Sequence, residues 1–381
     1  MTLSDVRAKC VGVAHVVRFL CILYVFLFSI DLMGESLGML GGGVSQAILS
    51  ATGHPVVGLF IGILSTSIVQ SSGVTTVTVV AMTGAGLLTI RTAIPIIMGA
   101  NIGTTVTNML VSLVHITRKD EFHRAFAGAV VHDLFNIMCV TLFLPLELAT
   151  HFLERSALWL TSLLENVGGL KAASPVTLIV HPLTDTVVLL LPSKYGLSER
   201  VNGVILLLFS TALLFLSLYL IVRVIRSFVA GALEEFFNRR LFAHPGLAFL
   251  TGAVFTATIQ SSSVTTSLIV PLLGAGVLTI ERIFPYVLGA NIGSTITAIL
   301  GSLATVSGGS TAGLTVALTH TLFNTFGTCI FYPLRIVPIS LAKAIGERAG
   351  NSKLFGLGYI ATIFFVIPLV VLLLQKYVFG R

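Results

Sequence analysis

Two stretches of this 381-residue chain set amide and hydroxyl groups inside otherwise apolar sequence: Ser67-Ile68-Val69-Gln70-Ser71-Ser72-Gly73-Val74-Thr75-Thr76 and Ala257-Thr258-Ile259-Gln260-Ser261-Ser262-Ser263-Val264-Thr265-Thr266. An unpaired polar group buried in hydrocarbon costs roughly 2–7 kcal/mol, so each cluster must be satisfied by backbone, water or a ligand. A lone serine usually bonds back to the preceding helical turn or bridges two helices. Two matched clusters need a further reason.

That reason is duplication. A shift of 190 residues sets His54-Pro55 on His244-Pro245, Gln70 on Gln260, Gly84-Ala85-Gly86 on Gly274-Ala275-Gly276, and Gly99-Ala100-Asn101-Ile102-Gly103 on Gly289-Ala290-Asn291-Ile292-Gly293. After a two-residue slip, His132, Phe135 and Asn136 fall on His320, Phe323 and Asn324. The period is too long for a solenoid unit and only two copies exist. The fitting template is a transporter with internal repeats and its site at the repeat interface.

Composition fixes the surroundings of these repeats. With 55% hydrophobic and 10% charged residues and a mean hydropathy of +1.01, the chain is a polytopic, all-α membrane protein with the lipid bilayer as its partner. The net charge of +7 is small, and the basic residues cluster between apolar runs, which excludes a nucleic-acid surface. Apolar runs at about 16–34, 92–116, 123–148, 202–225, 283–304, 311–337 and 354–377 are each near the ~20 residues of a crossing. The runs at about 55–89 and 245–280 are broken by the Gln-Ser clusters into arms too short to span, and read as re-entrant or interrupted hairpins lining a cavity. The stretch Val176 to Leu191, broken by Pro182 and Asp185, is a further crossing only if those residues are accommodated.

If the hairpins do not cross, the second repeat starts from the opposite face and the two repeats are inverted. The positive-inside rule agrees: Arg7, Lys9, the loop Arg118 to Arg124, Arg223, Arg226, Arg239, Arg240, Lys343, Arg348 and Lys353 all fall on one side, with Arg91 on the wrong side and Lys376 and Arg381 of the C-terminus outside. The expected organisation is a first helix and connector at 1–53, repeat 1 at 54–148, an extracellular segment at 149–200, a helix and interfacial connector at 201–243, repeat 2 at 244–337 and a last helix at 338–381.

Gly99 to Thr105 and Gly289 to Thr295 lie within candidate spans. Their glycines permit close backbone approach or local unwinding, with Thr104-Thr105 or Ser294-Thr295 capping a restarted helix; small residues of this kind are also ordinary packing motifs. Read as breaks, they make each span an interrupted helix, and four breaks converge at mid-membrane. Half-helix N-termini and hydroxyl donors suit an anion. Carbonyls, glutamine oxygens and the same hydroxyls suit sodium. The combination reads as a cation-coupled anion carrier. An enzyme is disfavoured because no serine cluster comes with a nearby base and no His-Glu-x-x-His pair or nucleotide loop exists.

These residues resemble the type II sodium-phosphate cotransporters, whose mark is Gln-Ser-Ser-Ser in each of two inverted repeats. Gln260-Ser261-Ser262-Ser263 is intact, whereas Gln70-Ser71-Ser72-Gly73 departs at its last position. The resemblance also covers Ile94 to Thr104 and Arg124 to Asp133. It implies an elevator-like carrier that couples sodium entry to phosphate uptake and needs no cofactor beyond co-transported sodium. The implied phosphate candidates are Gln70, Ser71, Ser72, Gly73, Gln260, Ser261, Ser262, Ser263, Asn101 and Asn291. The implied sodium candidates are Gln70, Thr75, Thr76, Gln260, Ser262, Thr265, Thr266, Thr104 and Ser294. A sodium-coupled dicarboxylate carrier is the nearest alternative, with a channel or an intramembrane enzyme behind it.

Animal members carry a large disulfide-bonded loop between the repeats and an extended C-terminal part. The short cysteine-free 149–200 segment and the absence of that extension point instead to a bacterial-type member of the inner membrane, with a homodimer as an allowed assembly. Asp31 reads as interfacial. Asp133, beside His132 and near Arg124, reads equally as a functional acid or as half of a structural ion pair.

Overall fold

The computed structural model describes residues 3–40, 46, 49–50, 52–168, 175–195, 198–236, 242, 244–305 and 310–378, and every regular element among them is helical. Seven helices among these residues are long and apolar enough to cross a membrane: Val17–Met39, Ile90–His115, Lys119–Thr150, Glu199–Ile221, Ile280–Thr305, Ala312–Phe331 and Lys353–Gln375. The polytopic architecture is as the hydropathy pattern predicts. The stretch around Pro182 and Asp185 lies within one uninterrupted helix, Pro175–Tyr195.

The first repeat opens with α2 (Pro55–Val69), following α1 (Leu3–Met39). Pro55 occupies the first helical turn, where its missing N–H costs nothing. The chain breaks at Gln70-Ser71, returns as α3 (Ser72–Gly84), turns through Gly86 at φ 75°, and continues as α4 (Ile90–Thr104) and α5 (Val106–Ser112). Glycine makes α2 and α4 inseparable neighbours. A Cβ at Gly62 would overlap the Ile96 carbonyl, one at Gly99 the Leu59 carbonyl, and one at Gly103 would come within 2.6 Å of the Ile63 carbonyl. These pairings rise together in residue number, so α2 and α4 run side by side in the same direction. The tip at Gln70 is therefore level with the second half of the Ile90–His115 span, near Asn108, and α3 brings the chain back to the level at which α2 began.

The second repeat has the same construction: α10 (Pro245–Ile259), a break at Gln260-Ser261, α11 (Ser262–Ser267), α12 (Val270–Gly274), a turn through Gly276 at φ 73°, and α13 (Ile280–Thr305). Gly252, Gly289 and Gly293 repeat the backbone contacts of Gly62, Gly99 and Gly103, against Tyr286, Phe249 and Ala253. The returning arm differs. Pro271, which has no N–H to donate, lies at the start of α12, and the helix is interrupted at Leu268-Ile269.

The helix break expected at Gly-Ala-Asn-Ile-Gly is corrected here. Gly289 to Gly293 lies within the unbroken α13, and Gly99 to Gly103 lies within α4, which steps only at Thr105. These small residues serve close packing, and the breaks that the two repeats share are the Gln-Ser tips. The expected run 311–337 is likewise shortened: α14 (Ala312–Phe331) ends before a turn, and α15 (Ile336–Asn351) follows.

Each returning arm packs on the other repeat's span. Gly73 faces Thr297, Gly301 faces Val77 and Gly84 faces Thr305, so α3 runs alongside α13; reciprocally, Gly274 faces His115 at the end of the first span. The long α6 (Lys119–Thr150) carries α15, which approaches it through Gly346 and Gly350. Outside the repeats, α1 packs along α9 (Glu199–Phe236), and α8 (Pro175–Tyr195) rests on α1. Asp31 is buried, and His181 of α8 reaches it at 3.1 Å.

Candidate substrate and sodium site

Both tips are built by the same local chemistry. Gln70 (φ 56°, ψ 27°) and Gln260 (φ 56°, ψ 28°) end their helices in the left-handed conformation, each N–H donating to the carbonyl four residues back at 2.7 Å. A non-glycine residue there costs about 1–2 kcal/mol, so both glutamines hold a conformation usually left to glycine. Ser71 and Ser261 are extended and cap the next helix, their hydroxyls accepting from the Val74 and Val264 N–H groups at 3.3 and 3.4 Å. The Thr66–Thr75 and Thr256–Thr265 hydroxyl pairs, at 3.0 and 2.7 Å, clasp the arms below each tip.

The hydroxyl census divides the sequence candidates. Thr76 donates to Ser72 O, Thr104 to Ala100 O and Ser294 to Asn291 O, each bonding within its own helix, whereas the Thr266 hydroxyl is shared between Ser262 O and Asn108 Oδ1 of the first repeat. Thr75 and Thr265 are held in the inter-arm clasps. In contrast, among the described residues the hydroxyls of Ser72, Ser262 and Ser263 and the side chain of Gln70 make no hydrogen bond, although the three serines are buried. The Oε1 of Gln260 is buried without a partner, as is the hydroxyl of Thr297, which composition and spacing did not single out.

The two tips meet. A Cβ at Gly73 would lie 3.4 Å from the Thr297 methyl and 3.8 Å from the Gln260 carbonyl oxygen, in ordinary contact with both. One open cavity of ≈ 650 Å³ is lined by Ser71 and Val74 of the first tip, Gln260, Ser261 and Val264 of the second, and α9 residues including Tyr219 and Arg223. Arg223 is too distant in sequence from either cluster for spacing to associate it with them.

Asn101 and Asn291 do not line this cavity. They belong to a buried network exchanged between the repeats. His132 of the first repeat bonds Asn291 Oδ1 of the second at 2.7 Å, and His320 of the second bonds Asn101 Oδ1 of the first at 3.2 Å. Asn291 also donates from Nδ2 to Asn136 Oδ1, and Asn136 Nδ2 donates to the Asn101 carbonyl. Because Asn291 Oδ1 is an acceptor, His132 presents Nε2–H to it and accepts from Asn108 at Nδ1, 3.1 Å away. Asn108 Oδ1 then accepts the hydroxyls of Thr266 and Ser267 from the second hairpin. The chain of bonds thus ties the second tip's helix to the first repeat.

Asp133 is not ion-paired with Arg124. Its carboxylate accepts hydroxyls from Thr105 at 2.9 Å and from Tyr359 of α16 (Lys353–Ala361) at 2.8 Å, while Arg124 donates to the carbonyls of Leu273 and Gly274 at the end of the second hairpin. One grouping of metal-type side chains, Glu147, His151 and Glu154, occurs among the described residues. It is committed elsewhere: Glu147 accepts the Leu153 and Glu154 N–H groups and Glu154 pairs with Arg91 at 3.0 Å.

Comparison with known proteins bears on what such paired tips do. The family described as Na+/Pi-cotransporter matches residues 25–151 and 213–335, one block on each repeat. The chain belongs to this Na+/Pi-cotransporter family. It is 33% identical to sodium-dependent phosphate transport protein 2B of Homo sapiens, over 94% of this chain and 65% of that protein. It is 33% identical to the 2A protein of Ovis aries, over 96% of this chain and 68% of that one, and 34% identical to the 2A protein of Rattus norvegicus with the same coverage. The chain thus spans about two thirds of the length of the cotransporter relatives it matches, 65% for the 2B proteins. No solved structure matches it.

Proposed function

We propose that this protein couples sodium entry to uptake of inorganic phosphate across the cell membrane by alternating access, with both hairpin tips contributing to one site. The observation that carries this reading is the meeting of the two tips beside one cavity lined by Ser71, Gln260 and Ser261, with the hydroxyls of Ser72, Ser262 and Ser263 and the buried Gln260 Oε1 uncommitted in the same two tips. Hydroxyl donors suit the oxygens of phosphate, and the Gln260 and Gln70 oxygens with nearby carbonyls suit sodium. Neither tip carries a charged side chain. Co-bound sodium then balances most of the anion's charge, and phosphate affinity falls steeply as sodium is withdrawn. Asn101 and Asn291 contribute by fixing the spans against which the tips are held.

The repeats are inverted in this reading. Its support is directional: α3 returns opposite to α2 and α4, and α3 runs alongside α13, which sets equivalent spans α4 and α13 in opposite senses. The hairpins and their spans form the moving body, and the α1–α9 pair forms the scaffold against which it rides as an elevator. The test is uptake of radiolabelled phosphate by proteoliposomes with and without an inward sodium gradient. Uptake that follows the gradient, is competed by arsenate and is little affected by sulfate is expected. Equal uptake without sodium contradicts the coupling, and no uptake in either condition contradicts the function.

A further inference from the structure

We propose that Arg223 is a substrate-contacting residue, supplying the fixed positive charge that receives the phosphate dianion from the tips on the side toward which α9 ends. This inference rests on the sodium-phosphate reading and adds to it a residue outside both repeats' tips. Arg223 lies two residues beyond the apolar window Glu199–Ile221 and lines the same ≈ 650 Å³ cavity as Ser71, Gln260 and Ser261. It is exposed and has no hydrogen bond or ion pair among the described residues. Arg91, Arg118, Lys343 and Arg124, by contrast, are committed, to Glu154, Glu121, Glu281 and backbone carbonyls respectively.

Among the described residues no carboxylate lines the cavity, and none of them neutralises the charge of Arg223 there. A guanidinium presents a planar fork of donors that fits two oxygens of a tetrahedral oxyanion, which a lysine ammonium does not reproduce. Tyr219, one helical turn earlier on the same face of α9, adds a phenolic donor to that cavity wall. The ligand is a doubly charged tetrahedral oxyanion, hydrogen phosphate or arsenate. The tips offer hydroxyls and amides without net charge, and α9 offers the charge. Sodium and Arg223 then share the balancing of the anion.

The experiment compares the wild type, Arg223→Gln and Arg223→Lys as full-length protein in proteoliposomes, measuring phosphate half-saturation and maximal rate at several sodium concentrations. Losing a hydrogen bond to a charged group corresponds to about a tenfold or greater rise in half-saturating phosphate for Arg223→Gln. Its phosphate affinity should also depend more steeply on sodium, a coupling that a purely structural role would not alter. Arg223→Lys should fall between the two. If Arg223→Gln does not reconstitute, the lysine variant decides: raised half-saturation supports the contact and wild-type constants overturn it. Arg223→Gln with wild-type half-saturation at every sodium concentration overturns the inference while leaving the function standing. A wild type that fails to take up phosphate overturns the function itself.

Discussion

At the residue scale, the first tip's Gly73 decides how its departure from Gln-Ser-Ser-Ser is understood. Its φ is not in the left-handed region, and a Cβ there meets Thr297 at 3.4 Å and Gln260 O at 3.8 Å, so neither conformation nor space requires glycine. Gly73→Ser should therefore leave phosphate half-saturation within about threefold of wild type, since a surplus neutral donor changes little when its neighbours already bind. Loss of uptake in reconstituted Gly73→Ser protein would mean that the backbone at this position approaches the substrate directly. The two Gln-Ser clusters were legible in the sequence because apolar surroundings make them conspicuous. The division of labour within them was not. Whether a hydroxyl bonds its own helix, as in Thr76, reaches the other repeat, as in Thr266, or remains uncommitted, as in Ser72 and Ser263, depends on rotamers and on partners far along the chain.

Among the elements, glycine at the α2–α4 and α10–α13 interfaces sets how closely each hairpin sits on its span. Gly99→Ala pushes a methyl into the Leu59 carbonyl, whereas Gly34→Ala on α1 meets nothing within 4 Å. Overpacking of this kind costs about 1–3 kcal/mol. Thermal unfolding of the detergent-solubilised protein should show a lowered midpoint for Gly99→Ala and a midpoint near wild type for Gly34→Ala. Equal midpoints would contradict the packing assignment. From sequence, Gly-Ala-Asn-Ile-Gly reads as well as a helix break as a packing motif, because glycine permits both. The deciding information is the second helix, Leu59 to Ile63 or Phe249 to Ala253, which no local pattern identifies as the partner. The exchanged pairs His132–Asn291 and His320–Asn101 were hidden for the same reason: only the equivalence of the histidines, not their partners, is visible in the repeat.

For the whole molecule, the duplication carries most of what the fold does. Seven spans, two hairpins and their order follow from hydropathy and from the 190-residue shift. The role of α9 does not, since Arg223 and Tyr219 meet the tips only after the repeats have folded on each other. The central claim is that tips 190 residues apart make one site. It is tested most directly by titrating phosphate at saturating sodium into purified wild type, Ser72→Ala, Ser263→Ala and the double variant. One bound phosphate per chain is expected in the wild type. Each single substitution should weaken that same binding event, by about one to two orders of magnitude for Ser263→Ala, which belongs to the intact tip, and by less for Ser72→Ala. The double variant should depart from the product of the two effects, because groups on one ligand are coupled. If Ser72→Ala leaves phosphate and sodium affinity unchanged while Ser263→Ala abolishes binding, the first tip is not part of the site.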